Sequence, residues 1–386
     1  MTERMSGETD ALAGMADFVV VGAGVIGCAT AYNLALRGHS VIVLERDESI
    51  GNGGSSRNGG GVRQSGRDAR ELPLALYAVE NIWPGLSDEL GADVEYVKRG
   101  NLRLGKTERH LEVLQGLART GVEHGLDMRM LGADEVREIN PYLSDEVIGA
   151  SWCPTDGHAN PLRTTLAFYR RARELGVRFV SGVQVTGVRK LHGRARQVAT
   201  TTGIYEGDGV ILAAGLGTRL LAASVGIDVP MHGLLIEALV TEMKQTMFPQ
   251  MLGSADADFY GHQTEHGSFV FGGDSGLEEA NGYAGGVPTS SITAPAICRS
   301  IMKYVPRLAD AKIVRTWAGW EDECADGVPV ISSVDEVPGL TLACAFTGHG
   351  FGISPIVGRL VAELACGERT TLDVSAFRYD RFRAWA

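Results

Sequence analysis

The sequence predicts a mixed α/β fold in which a parallel, helix-flanked sheet is joined to a second, mainly antiparallel β-sheet. Three patterns carry that expectation. An uncharged run from Phe18 to Leu36 opens on the β-branched residues Val19, Val20 and Val21 and is then broken by Gly22, Gly24 and Gly27. The same succession of apolar strand, glycine turn and helix returns at GVILAAGLGTRLL, and again at GLTLACAF followed by GHGFGISPIVGRLVAEL. Between these returns, residues 232–273 read as mainly β. Strands buried on both faces of a parallel sheet give continuous apolar runs, and their alternation with helices implies βαβ connections.

The elements follow in order. The first fifteen residues alternate charged, small and polar types, lack the basic start and apolar core of a secretion signal, and are expected to be a flexible lead-in. FVVVGAG forms a strand, residues 25–37 a helix that Gly38 ends, and residues 40–45 a second strand. Although Phe18 to Leu36 is about long enough to cross a bilayer, its glycine cluster and Asn33 make it strand, turn and helix. Residues 51–66 are rich in Gly, Ser, Asn and Arg, and so long an irregular stretch in a compact domain is usually functional. Helices are expected over 72–90, 108–124, 161–175 and 294–304, with a strand at 101–104 and alternating strands in VRFVSGVQVTGVRK.

Composition removes several function classes. With 36 basic and 47 acidic residues the net charge is −11, which repels nucleic acid and anionic lipid, so neither nucleic-acid binding nor membrane insertion is expected. The six cysteines, Cys28, Cys153, Cys298, Cys324, Cys344 and Cys366, have no metal-binding spacing. They fit reduced thiols in a cytoplasmic enzyme without a metal site of its own.

The segment VVVGAGVIGCATAYNLALRGHSVIVLE fits the Rossmann-type dinucleotide fingerprint. Gly22 allows the tight turn, Gly24 the approach of a pyrophosphate, and Gly27 close helix packing, while Val25 and Ile26 open the helix toward the negative charge. Glu45, followed by Arg46, ends the second strand where an acid accepts hydrogen bonds from the adenosine ribose. The competing reading is a glycine-rich packing turn. The nucleotide domain is expected to be discontinuous, over 16–85, 150–220 and 318–386, with a substrate domain over 86–149 and 221–317.

Three further segments carry a resemblance to a known family: GGSSRNGGGVRQSGRD, GVILAAGLGTRLLAASVG, and the pair WAGWEDECADGVPVIS and FTGHGFGISPIVGRL. Together they resemble the D-amino-acid oxidase and sarcosine oxidase superfamily of FAD enzymes. The resemblance implies FAD bound by Ser55, Ser56, Arg57, Asn58, Gly60, Gly61 and Val62 in the loop, and by Val185, Ala214 and Gly215 on the adenosine side. It implies further contacts from Trp320, Gly348, His349, Gly350, Phe351, Gly352 and Ile353. The loop is most similar to that of the β subunits of opine (octopine or nopaline) oxidases and of related hydroxyproline and proline dehydrogenases. That similarity implies dehydrogenation of a C–N bond of an amino acid or secondary amine to an imine, with hydride transfer to flavin N5. It also implies a hetero-oligomer whose partner subunits accept the electrons through FMN or an iron–sulfur cluster. A free-standing D-amino-acid, sarcosine or glycine oxidase that makes peroxide is the alternative within the class; a flavin-bearing assembly protein with no activity is the alternative outside it.

Residue by residue, Arg63 matches an arginine of the sarcosine oxidase pattern and is the expected carboxylate anchor, with Arg57 and Arg67 as weaker candidates. The competing role for Arg63 is a contact to FAD phosphate or to a surface carboxylate. Glu321 stands where glycine oxidases carry a base, so it is expected to hold a cationic or hydrogen-donating arm of the substrate, or else to be an acid that supports the site from behind or faces solvent. Gly352 and Val270 stand where sarcosine oxidases carry a carboxylate-binding lysine and an oxygen-activating lysine. Tyr260, Trp320 and His349 are expected pocket walls. The cysteine that attaches flavin in monomeric sarcosine oxidases corresponds to Gly319, with Cys324 offset from it, so FAD is expected to be non-covalent.

Overall fold

Two large sheets divide the apolar residues of the chain between them. The computed structural model describes residues 11–273 and 289–385. A six-stranded sheet runs in the spatial order Arg178–Val180, Val41–Leu44, Phe18–Val21, Gly209–Leu212, Leu340–Cys344 and Val330–Ser333. All its pairings are parallel except the last. Phe18–Val21, Val41–Leu44 and Gly209–Leu212 are buried at every position, which is why they read as unbroken apolar runs. The helices Val25–Leu36 and Gly350–Ala365 pack against each other within one core. A Cβ on Gly358 would lie 2.5 Å from the Ala29 Cβ and 2.6 Å from its carbonyl carbon, so the two helix backbones meet at a distance only glycine allows.

A four-stranded sheet, Leu12–Met15, Gly203–Glu206, Arg194–Thr200 and Val185–Leu191, packs beside the first. It corrects the expectation of a flexible lead-in over residues 1–15. Leu12–Met15 pairs in parallel with Gly203–Glu206, so its polar backbone groups have partners even though its side chains are mostly exposed. Residues 1–10 lie outside the described residues. The strands expected within VRFVSGVQVTGVRK also separate, Arg178–Val180 into the six-stranded sheet and Val185–Leu191 into the four-stranded one.

The third sheet has eight strands, in the order Ile313–Cys324, Met231–Met243, Ser268–Gly273, Tyr260–Gln263, Met251–Ser254, Asn101–Gly105, Gly149–Cys153 and Arg129–Gly132. Only Met251–Ser254 with Asn101–Gly105 is parallel. The expected borders at 149/150 and 317/318 both fall within its strands. One face, carrying Leu102, Leu104, Leu239, Leu252, Phe269 and Phe271, packs on Ile297, Ile301 and Tyr304 of the helix Thr293–Tyr304. Alternation along the paired strands puts Arg103, Tyr260, His262, Val270, Trp317 and Glu321 together on the other face.

The expected continuous helix over 72–90 is broken into Leu72–Tyr77, a wider turn at Ala78–Ile82, a tight turn at Trp83–Gly85 and Leu86–Leu90. Pro84 has no N–H to give to the carbonyl four residues earlier, so the regular ladder stops there. The contact at Gly358 yields a prediction. Gly358→Val pushes a branched side chain into the Ala29 backbone and should cost at least about 1–3 kcal/mol. A thermal melt that shows no lower Tm for the variant would contradict so close a helix crossing.

Candidate active site

The glycine fingerprint folds into a crossing of two chain segments. Gly22 has φ +102°, and a Cβ there would lie 2.4 Å from the Ala213 carbonyl oxygen and 3.0 Å from the Ala214 Cα. A Cβ on Gly27 would lie 1.9 Å from the Gly22 oxygen. The helix Val25–Leu36 then starts at Gly24 with no cap from that residue's side chain, and the Val25 N–H is met by the Ser55 hydroxyl at 2.9 Å. Glu45 is held at the turn by accepting from the backbone N–H groups of Ala23 at 2.8 Å and Asp47 at 3.0 Å. The Val183 N–H donates to the Glu45 carbonyl, which brings the strand of Val185 alongside, and Arg46 is exposed next to Asp47. Ala214 and Gly215 sit at the other side of the crossing, the Ala214 N–H bonded to Thr218.

From Ser55 the loop crosses the eight-stranded sheet strand by strand. The Arg57 guanidinium donates to the Ala318 carbonyl at 3.0 Å, and the Trp317 indole returns a hydrogen bond to the Arg57 carbonyl at 2.8 Å. Arg57 also covers Gly319, where an added Cβ would lie 2.8 Å from its own. Added Cβ atoms on Gly59, Gly61 and Gly66 would meet the Tyr260 ring at 2.8 Å, the Met251 Cε at 3.3 Å and the Arg103 Nη1 at 2.7 Å. Asn58 stiffens the start of the loop by donating to the Ser55 carbonyl and accepting from the Gly60 N–H, and the Ser56 hydroxyl turns back to Gly53. Arg63 makes a single long hydrogen bond among the described residues, to the Ser65 carbonyl at 3.4 Å.

The start of the helix Gly350–Ala365 closes the site. A Cβ on Gly348 (φ +70°) would lie 2.7 Å from a Glu321 carboxylate oxygen, and one on Gly352 would lie 3.1 Å from the Gly61 oxygen. The His349 ring is 2.9 Å from Glu71, and Arg67 donates to the His349 carbonyl at 3.2 Å and to the Arg63 carbonyl at 2.7 Å. Thus Gly348, His349 and Gly350 converge with Glu321, whereas the Val62, Phe351 and Ile353 side chains turn into the apolar core and the expected pocket wall Trp320 turns its ring to the opposite sheet face, over Gly233 beside Leu216, leaving only their backbone for the site. Cys324 is buried, and its sulfur accepts from Arg381.

Charge in the site is unevenly held. Burial, reinforced by Asp322 and Glu323 and opposed by Arg63, pushes the Glu321 carboxyl up to about 7. Burial likewise raises Asp322 to about 6 against the backbone N–H of Ala345, and raises the Tyr260 phenol. His349 is lowered by burial although Glu71 favours its charged form. His158 and His262 stack with ring centroids 3.7 Å apart; burial drives His158 down to about 4 and His262 well below its ordinary value, so the pair is a neutral wall.

Sequence reasoning passes over Asp156, Glu71, Met251, the histidine pair and Arg103. Only Arg103 leaves a readable sign, an arginine set between Leu102 and Leu104 and therefore on the face opposite the core. The residues present suit FAD: the backbone crossing at Gly22, the helix start at Gly24 with no side chain over it, the fixed Glu45 and the glycine-lined strip of Gly61, Gly348 and Gly352 form a cradle that added side chains would fill.

Comparison with known proteins gives the family. The sequence profile of the family described as FAD dependent oxidoreductase matches residues 17–364. The chain is 28% identical over 377 residues to the beta subunit of sarcosine oxidase from an Arthrobacter species, covering 95% of this chain and 91% of that one. It is 27% identical over 386 residues to a subunit of opine oxidase from Rhizobium meliloti, covering 95% and 98%. The solved structure of L-proline dehydrogenase from P. horikoshii superposes with a TM-score of 0.87 at 29% identity, over 97% of this chain and 99% of that one.

The cradle can be tested at Gly24, where an added Cβ would lie 2.9 Å from the Ser55 hydroxyl. Gly24→Val should give a folded but colourless protein that does not take up FAD. A yellow variant with the parent's flavin content would show that this turn does not hold the cofactor.

Proposed function

Because the chain belongs to the FAD dependent oxidoreductase family, we propose that it uses FAD to dehydrogenate the C–N bond of an amino acid or its secondary-amine derivative, to an imine that water hydrolyses. The observation that carries this reading is the pairing of Arg63 with the half-buried acid Glu321 around the glycine strip of Gly61, Gly348 and Gly352. An amino-acid substrate has one group for each: a carboxylate for the guanidinium fork, and an ammonium for the acid. The names of the similar proteins, two of them oxidase subunits for sarcosine and for opines and the third an L-proline dehydrogenase, point to the same class.

Bound FAD supplies a two-electron acceptor. Arg63 fixes the substrate carboxylate and thereby the orientation of the neighbouring C–H bond. Glu321, in its ionised form, takes the proton from the substrate ammonium and frees the nitrogen lone pair as the C–H electrons leave. An acid near 7 is matched to that transfer at neutral pH. Glu321 also favours a substrate with a second cationic or hydrogen-donating arm, as an arginine-derived opine has. Tyr260 and the neutral His158–His262 pair wall the cleft, and Gly352 adds no side chain to it.

In the same reading the electrons pass to a partner subunit that carries FMN or an iron–sulfur cluster. Val270 pairs with His262 and Val240 on the site face and offers no charge to stabilise reduced oxygen. Among the described residues no group of three or more His, Cys, Asp or Glu could hold a metal ion. Two of the similar proteins are named as subunits.

Two measurements test this. Anaerobic flavin bleaching by an N-alkyl amino acid should speed up as pH rises through about 7, where Glu321 becomes the base, and Glu321→Gln should slow bleaching and flatten that limb; an unchanged profile would remove Glu321 from the proton transfer. Stopped-flow reoxidation of the reduced chain should be slow compared with bleaching, and rapid peroxide formation in air would make the chain a self-sufficient oxidase.

A further inference from the structure

The turn that leads from the strand Leu340–Cys344 into the helix Gly350–Ala365 is held in a strained shape. Ala345 has φ +59° and Thr347 φ +50°, with Gly348 following at +70°. The left-handed region is uncommon for a residue with a side chain and least favourable for a β-branched one, so such a turn persists only where its surroundings over-determine it. Asp322 supplies much of that restraint. Its carboxylate accepts from the Ala345 N–H at 2.7 Å, and the Phe346 N–H also favours its charged form. Its own carbonyl accepts from the Thr347 N–H at 3.1 Å, and the Thr347 hydroxyl accepts from the Cys324 N–H at 3.2 Å. Among the described residues no cation pairs with Asp322, so backbone N–H groups, most of them in the turn, answer its charge.

Asp322 and Glu321 are neighbours on the strand Ile313–Cys324 and point to opposite faces of it. A Cβ on Gly348 would lie 2.7 and 2.8 Å from the two Glu321 oxygens, so the turn that Asp322 grips from behind lies against the acid in front. The charged and titratable groups around the pair come from every side. Glu323 follows on the same strand and meets His232 of the next at 3.0 Å, Arg63 and Tyr260 face Glu321, and the Cys344 thiol is raised by burial and by Asp322.

We propose that Asp322 is a positioning residue: its carboxylate holds the turn Ala345–Gly348 in its left-handed course and so keeps Gly348 against Glu321, setting the proton affinity of that acid. This deepens the proposed reaction and rests on it only for the part Glu321 takes in proton transfer. Two effects act in the same direction. The Asp322 charge disfavours a second charge on Glu321, and the held turn keeps water from it. Loss of the Asp322 charge therefore makes Glu321 a weaker proton acceptor.

The test uses the flavin-loaded chain labelled with carbon-13 at the glutamate carboxyls, the Glu321 signal being the one missing from Glu321→Gln. In the parent it should titrate at about 7. In Asp322→Asn it should titrate at least about half a unit lower, and the Kd for FAD should rise roughly fivefold or more as the turn loses a charge-assisted hydrogen bond. Adding Ala345→Gly to Asp322→Asn should restore most of the FAD affinity, because glycine takes a positive φ without a Cβ clash. It should not restore the Glu321 titration, since the shape returns and the charge does not. An Asp322→Asn protein whose Glu321 titrates as in the parent overturns the proposal. So does a double variant that binds FAD no better than Asp322→Asn, which would make Asp322 a packing residue. If Asp322→Asn alone does not fold, a folded, yellow double variant supports the proposal and an unfolded one overturns it. Anaerobic bleaching separates this result from the reaction. A flavin that no amine bleaches, in a chain whose Glu321 titration depends on Asp322, fails the oxidation reading and keeps the positioning role. Bleaching by N-methylglycine, in a chain whose Glu321 titration ignores Asp322, does the reverse.

Discussion

The Asp156 carboxylate, fully buried and without an ion pair among the described residues, sets the height of the loop that carries Arg63. Its charge is spread over the Gln64 N–H at 2.7 Å, the Ser65 N–H at 3.3 Å, the Ser65 hydroxyl and the Asn101 amide at 3.4 Å. A buried charge is tolerable when its lone pairs are used in this way. Because the donors come from both the loop and the eight-stranded sheet, the carboxylate ties the two together. The contacts of Gly59 with Tyr260, Gly61 with Met251 and Gly66 with Arg103 depend on that fixed spacing, and the exchange of hydrogen bonds between Arg57 and the strand at Trp317 and Ala318 holds the other end.

A second cluster does the same for the last glycine turn. Arg67, Glu71 and the His349 ring form a buried group in which burial works against the Glu71 charge, while the histidine hydrogen bond and Arg67 hold its carboxyl below the ordinary value. Its charges are turned inward, toward one another. In the proposed cleft that leaves Arg63 and Glu321 as charges of opposite sign. Such a separation of sign orients a zwitterionic ligand before any shape contact is made.

Much of the nucleotide half is legible in the sequence because its rules are local. A strand, three glycines at fixed offsets, a helix and a terminal acid all lie within Phe18 to Glu45, and their spacing alone determines where Gly22, Gly24, Gly27 and Glu45 fall. The second half of the site obeys no such local rule. Asp156 and Arg103 acquire their meaning only when the loop at 64–66 is laid over strands from elsewhere in the chain. Gly358 reads as an ordinary helical glycine until Ala29 is placed against it. The strand Leu12–Met15 escapes a sequence reading for a related reason: its side chains carry no buried pattern, and only its partner Gly203–Glu206 makes it a strand. The helix over 72–90 fails differently, since Pro84 is visible in the sequence and its missing donor outweighs the helical periodicity around it.

The crossing at Gly22 also governs the order in which the molecule can be assembled during translation. The first turn rests on Ala213 and Ala214, and the strand that follows Val210 on the other side, Leu340–Cys344, leads into the glycines that close the cleft. At ordinary ribosome speeds roughly 15 to 65 seconds separate the emergence of the first glycine turn from that of the last. Until Ala213 and Ala214 emerge, past the midpoint of that interval, the nascent chain holds a pyrophosphate cradle with no floor beneath it, and the glycines that close the cleft come last. Flavin capture therefore belongs to the completed polypeptide, and a chain released early carries exposed, unpaired parallel strands, the form in which such sheets are recognised by chaperones and lost to aggregation.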